Sequence, residues 1–200
     1  MPVVLSLPKF KMPPTSSEDI EVIHFGPKSH FTSLVFLYAD VLEELQFNAK
    51  DQNSYGMLVG NYSIIPIEMR KNEPGEALDF IEITAFKDIW PSENALDYAG
   101  YLRKQRDFRP PSDGTTILGL VVLQKTFKAP SLEELMVMRS YFADQIQIAL
   151  YITGERDQPR VYVLGDTLES FAEIGFSLVK LTSETLPFKE KSESKAQNDK

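Results

Sequence analysis

Apolar and polar residues alternate over 20–25 (IEVIHF), the period of a strand with one face in a core. The period changes over 31–48. There Leu34, Leu37, Tyr38, Val41, Leu42 and Leu45 recur at steps of three and four and line one stripe, which predicts a helix. Residues 56–67 (GMLVGNYSIIPI) and 78–89 (LDFIEITAFKDI) read as strands, joined by a polar turn at 69–77 that carries Pro74-Gly75. A helix is expected over 92–105, with Ser92 as N-cap and Glu93 at the positive end of its dipole. After a loop at 109–114 (RPPSDG), the run at 115–123 (TTILGLVVL) is almost continuously apolar, which predicts a central strand buried on both faces. A helix over 131–144 follows, then strands over 146–153, 160–165 and 175–181. Helices interspersed among strands specify an α/β (α+β) sheet domain.

Two hundred residues suffice for one domain and little more. Proline-rich residues 1–18 read as an extended arm, residues 19–184 as the domain and the charged residues 185–200 as a disordered tail. No apolar run approaches the ~18 residues of a membrane span. The N-terminus is broken by prolines and lacks the apolar stretch of a secretory signal. No membrane association is expected. The chain has no cysteine, which excludes disulfides, thiol catalysis and Cys-ligated metal and fits a reducing cytoplasm. A net charge of -8 gives no global field for nucleic acid. The two histidines, His24 and His30, leave little for chemistry that needs a histidine cluster.

Two segments carry a resemblance. One is Ser54-Tyr55-Gly56-Met57-Leu58-Val59-Gly60, following the predicted helix at 31–48. The other is Leu118-Gly119 leading through a short loop into Pro130-Ser131-Leu132-Glu133-Glu134. With the order of elements over most of 20–180, they resemble the MPN domain, also called the JAB or Mov34 domain. The resemblance implies a layered fold like that of cytidine deaminase, with a mixed central sheet flanked by helices. Catalytic members hold zinc with two histidines and an aspartate, and use a glutamate and a serine around the bound water. The two histidine positions fall on Val122 and Gln124, the aspartate on Glu134, the glutamate on Asn53 and the serine on Ser131. Only Ser131 matches, and no histidine follows residue 30.

The resemblance therefore implies a degenerate member: no zinc, no other cofactor, no enzyme activity. Such a chain is expected to scaffold an assembly through protein partners, as a homodimer or with another MPN-type subunit. The alternative is a module that binds a ubiquitin-like tail or an extended peptide by strand addition beside the central strand, acting with an active protease partner.

Read without the resemblance, Ser131 and Glu134 form a Ser-x-x-Glu capping box. Gly56 and Gly60 lack the residues of a phosphate loop and read as close backbone packing or a bulge. The run 103–109 is the one basic cluster. Arg103 and Arg106 within it are candidates for an acidic partner, or mark a solvated helix end. Met136 and Val137, with Val35 on the earlier predicted helix, are the candidate interface. Trp90 reads as an anchor at the core edge, and as an interface hot-spot candidate only if exposed; Glu68, Glu82, Asp166 and Glu169 read as surface charges.

Overall fold

A computed structural model of the chain describes residues 15–17, 20–27, 33–65, 78–105, 115–142, 148–154, 158–164 and 171–181. His30, Arg106, Glu68, Asp166, Glu169, the turn at 69–77, the loop at 109–114, the tail and most of the arm lie outside the described residues.

The strands are β1 (Ile20–Phe25), β2 (Ser33–Tyr38), β3 (Ser54–Ile65), β4 (Leu78–Pro91), β5 (Thr116–Gln124), β6 (Ile148–Thr153), β7 (Arg160–Leu164), β8 (Phe171–Ile174) and β9 (Phe176–Leu181). The helices are α1 (Ala39–Ala49), α2 (Ala95–Lys104) and α3 (Leu132–Tyr141). One 9-stranded sheet runs in the order β1-β9-β2-β4-β3-β5-β6-β7-β8. It is mixed: β2 lies parallel to β4 and to β9, β5 lies parallel to β6, and the remaining pairs are antiparallel.

The predicted helix at 31–48 divides. Its first part is β2, and only its second part is α1. Leu34 and Leu37 fall in register with the stripe Val41, Leu42, Leu45, so a strand running straight into a helix imitates one longer helix. The deciding feature is the unbroken apolar run Leu34-Val35-Phe36-Leu37-Tyr38. As a strand it places Val35 and Leu37 in one core cluster and Phe36 in another, on the opposite face of the sheet. A helix would have turned part of that run to water.

Inward side chains from each of β2 to β9 join Val41, Leu42, Leu45 and Ala49 of α1 in one core. A helix of 11 residues is about 16 Å long. Eight strands laid flat would span about 34 Å. The sheet therefore curls around α1. The chain path says the same, because only Gly175 separates β8, at one end of the strand order, from β9, next to the other end. A Cβ on Gly175 would stand 2.6 Å from the Pro27 carbonyl oxygen, so the seam closes only with glycine there. The outer face of β3, β5, β6 and β7 is covered by α2 and α3 through Tyr98, Ala99, Leu102, Val137 and Met138. No helix among the described residues is long and apolar enough to cross a membrane.

Strand β5 is central and buried, as its composition predicts. Gly60 sits at a register shift between β3 and β4, where a Cβ would fall 1.9 Å from the Glu82 carbonyl oxygen. It serves close packing and a bulge, as expected. Helix α2 starts later than expected: Asn94 is the N-cap and accepts from Leu96 N, while Ser92 Oγ accepts from Asn94 N.

Candidate functional site

Register alone gathers the positions singled out by the resemblance. Strands β3 and β5 pair Tyr55 with Val122, and β5 and β6 pair Val122 with Tyr151. Side chains at directly opposed positions share a face, so the row Tyr55–Val122–Tyr151 lies under α2 and α3. Glu134, in the first turn of α3 and 3% exposed, is bound from both sides of Val122. Tyr151 donates its hydroxyl to Glu134 Oε2 at 2.8 Å, and Tyr55 donates to Oε1 at 3.3 Å. Ser131 N donates to Oε2 at 2.7 Å, and Ser131 Oγ accepts from Glu134 N at 3.2 Å. That is the expected capping box, with a buried carboxylate doing a second task.

The other two positions sit at the same end of the sheet. Asn53 precedes β3 and Gln124 ends β5, and the antiparallel register brings them together. Asn53 Oδ1 accepts from Lys125 N at 3.0 Å, and its Nδ2 donates to Glu93 Oε2 at 2.5 Å. Its carbonyl accepts from Ser92 N at 3.1 Å. One side chain thus joins the entry to β3, the approach to α2 and the exit from β5. Gln124 Oε1 accepts from Lys128 N at 2.8 Å and braces the turn after the strand.

The electrostatics follow from burial. The Tyr55 and Tyr151 hydroxyls are held well above the usual tyrosine range, first by burial and then by the negative charge of Glu134. Tyr98 is raised by burial, with smaller contributions from Asp88 and Tyr101. Its hydroxyl is buried without a hydrogen-bond partner, and its ring stacks between Tyr55 and Tyr101 at 6.1 Å from each.

These residues do not fit a zinc ion. Val122 offers no donor atom, Gln124 is an amide, and both Glu134 oxygens are committed to neighbours. Among the described residues no group of three or more His, Asp or Glu side chains has the placement to hold a metal.

No family model matches this chain, and no curated protein does. The character of the site rests on its own geometry.

That geometry corrects several expectations. Val35 is 2% exposed on β2 and Val137 is 1% exposed on α3, so both belong to the core and neither forms an interface. They face inward because β2 is covered on both faces and because α3 turns Glu134, Leu135, Val137 and Met138 toward the sheet. Met136 is the outward residue, and Leu132, one turn earlier, joins it. Arg103 lies exposed in the last turn of α2, where its Nε donates to the Ala99 carbonyl at 3.4 Å. This is the solvated helix end. Trp90 stacks on Tyr101 at 4.3 Å at the core edge and is 38% exposed, which meets the condition set for a hot-spot candidate.

Glu82 is not a surface charge. It is wholly buried in β4 and accepts from the Tyr38 hydroxyl and from Asn61 Nδ2, the latter at 2.8 Å. Exposed His24 shares a 2.7 Å hydrogen bond with Ser177 Oγ across β1 and β9. The place expected for peptide capture is filled, since β3 and β6 pair with both edges of β5.

Sequence reasoning passed over Tyr55 and Tyr151. Their signal was available: a tyrosine inside an apolar strand needs a partner for its hydroxyl, and a helix-start glutamate is within reach only in this register.

Proposed function

We propose that this chain is a metal-free, MPN-like scaffold or assembly subunit of the cytoplasm, which works by binding other proteins as a homodimer or beside another MPN-type subunit. One observation carries the reading. At the positions where the resembled family places catalytic groups, every described polar side chain is spent on holding the fold together. Glu134 ties α3 to β3 and β6, Asn53 ties three segments, and Gln124 holds a turn. A working site keeps donors and acceptors free for substrate; here they are satisfied by neighbours. The binding surface is the outward ridge of α3, where Leu132 is 65% and Met136 53% exposed.

The second reading, capture of an extended peptide for an active protease partner, has less support, because the strand beside the site has no open edge. Native mass spectrometry with metal analysis tests the first. The expected species is a metal-free assembly larger than one chain, which breaks up in a Leu132→Arg, Met136→Arg variant that keeps its circular dichroism. One zinc per chain overturns the site reading. An assembly indifferent to the two arginines overturns the choice of surface. A metal-free monomer overturns the homodimer and leaves the heteromer, for which co-purification with a second subunit is the measurement.

A further inference from the structure

Among the described strands the ends of the order are β1 and β8, and an end strand presents its outward backbone groups to any strand that arrives. Along β1, the residues whose N–H and C=O point away from β9 alternate with those that point toward it. Ile20 identifies the outward set, because it bonds to a residue other than β9's. Ser17 N donates to the Ile20 carbonyl at 2.8 Å, and Ile20 N donates to the Ser17 carbonyl at 3.3 Å. Val22 and His24 therefore point outward as well. Val22 N is also taken, donating to Ser16 Oγ at 3.2 Å. The outward N–H groups of Ile20 and Val22 and the carbonyl of Ile20 are thus bonded within the chain.

We infer that Ser16 and Ser17 form a built-in cap on the edge of β1, and that the strand it covers is otherwise suited to pair with a second copy of itself. The register supports that occupant. Two β1 strands laid antiparallel about Val22 set Val22 against Val22, Ile20 against His24 and Glu21 against Ile23. All three outward residues then meet outward residues, and no like charges stand opposite. The cap costs little chain: two serines fold back beside the strand they precede. It also gives part of the expected arm a task on its own domain. The inference is independent of the scaffold reading, which places assembly on α3.

Amide hydrogen exchange on the full chain tests the cap directly. The Ile20 and Val22 amides are expected to exchange at least about tenfold more slowly than the outward amide of His24, although all three lie on one edge. Equal rates overturn the cap. Analytical ultracentrifugation tests the covered strand. A Ser16→Ala, Ser17→Pro variant, which removes the side-chain acceptor and the Ser17 N–H, is expected to gain an association step beyond whatever state the wild type shows. Adding Val22→Pro should abolish that step. No gain, or a gain that survives Val22→Pro, overturns self-pairing. The exchange measurement stands even where the double variant folds poorly.

Discussion

Glu134 is the residue on which a structural and a catalytic reading differ most sharply, so its replacement separates them. In Glu134→Ala the Tyr151 and Tyr55 hydroxyls lose their acceptor inside the core, and Ser131 N loses its partner at the helix start. A buried donor left unsatisfied costs about 1–3 kcal/mol. The serine amide lies near solvent and recovers a water, so the two hydroxyls dominate, and a loss of about 3–5 kcal/mol is expected. That is a large part of the about 5–15 kcal/mol that holds a domain folded. Glu134→Gln keeps an acceptor oxygen and the shape of the side chain, and should cost about 1–2 kcal/mol. Tyr151→Phe, which gives up the 2.8 Å bond, should cost more than Tyr55→Phe, which gives up the 3.3 Å bond. Urea unfolding followed by circular dichroism gives the ranking, and a Glu134–Tyr151 double-mutant cycle gives the coupling. A Glu134→Ala loss below about 1 kcal/mol would refute the network. A Glu134→Gln variant more stable than wild type would refute the structural reading, because working groups are the ones held at a cost to stability.

The folded-state pKa values of Tyr98 and Tyr151 lie above the ordinary 10.0, so the folded protein keeps protons that the unfolded chain releases. Stability is then full below pH ~10 and falls as pH rises beyond it, by up to about 1.4 kcal/mol per pH unit for each such tyrosine; alkaline unfolding with a parallel tyrosinate absorbance titration measures it. Gly60→Ala and Gly119→Ala put a Cβ 1.9 Å from the Glu82 carbonyl oxygen and 1.8 Å from that of Ile148, and each should cost more than about 3 kcal/mol or prevent folding, as thermal melts will show. Asp88, at φ 53 in the β4 bulge, should tolerate Gly with a gain of about 0.5–1 kcal/mol and reject Val, and a gain with Val would remove the strain argument.

Much of the fold was legible because it rests on periods. Alternation found β1, the apolar run found β5, and Ser131 with Glu134 announced the start of α3. The failures have definite causes. Strand β2 hid in a helical stripe because its leucines happened to continue the spacing of α1. Val137 reads as an interface residue in the sequence because adjacent apolar residues on a helix do not say which of them faces the sheet. Glu82 reads as a surface charge because a lone carboxylate in a strand is exposed more often than not; its partners Tyr38 and Asn61 come from β2 and β3, and only the pairing register unites them. The cluster around Glu134 failed for the same reason. Its members were all noticed or noticeable singly, but the sequence does not display which strands are neighbours.

The single residue between β8 and β9 has a bearing on how the chain assembles in time. Strand β9 supplies the neighbour of both β1 and β2, and its Ser177 meets a partner in β1 153 positions earlier. Until β9 is available, β2 has only one hydrogen-bonded flank among the described strands, and the enclosure around α1 stays open on one side. Such distant pairing makes for slow closure, since a long loop must be brought together before its contacts repay the entropy. A ribosome making this protein therefore delivers β9 after every other described strand. The growing chain carries a nearly complete but unfastened wrap until Gly175 has passed and β9 can slide between its two neighbours.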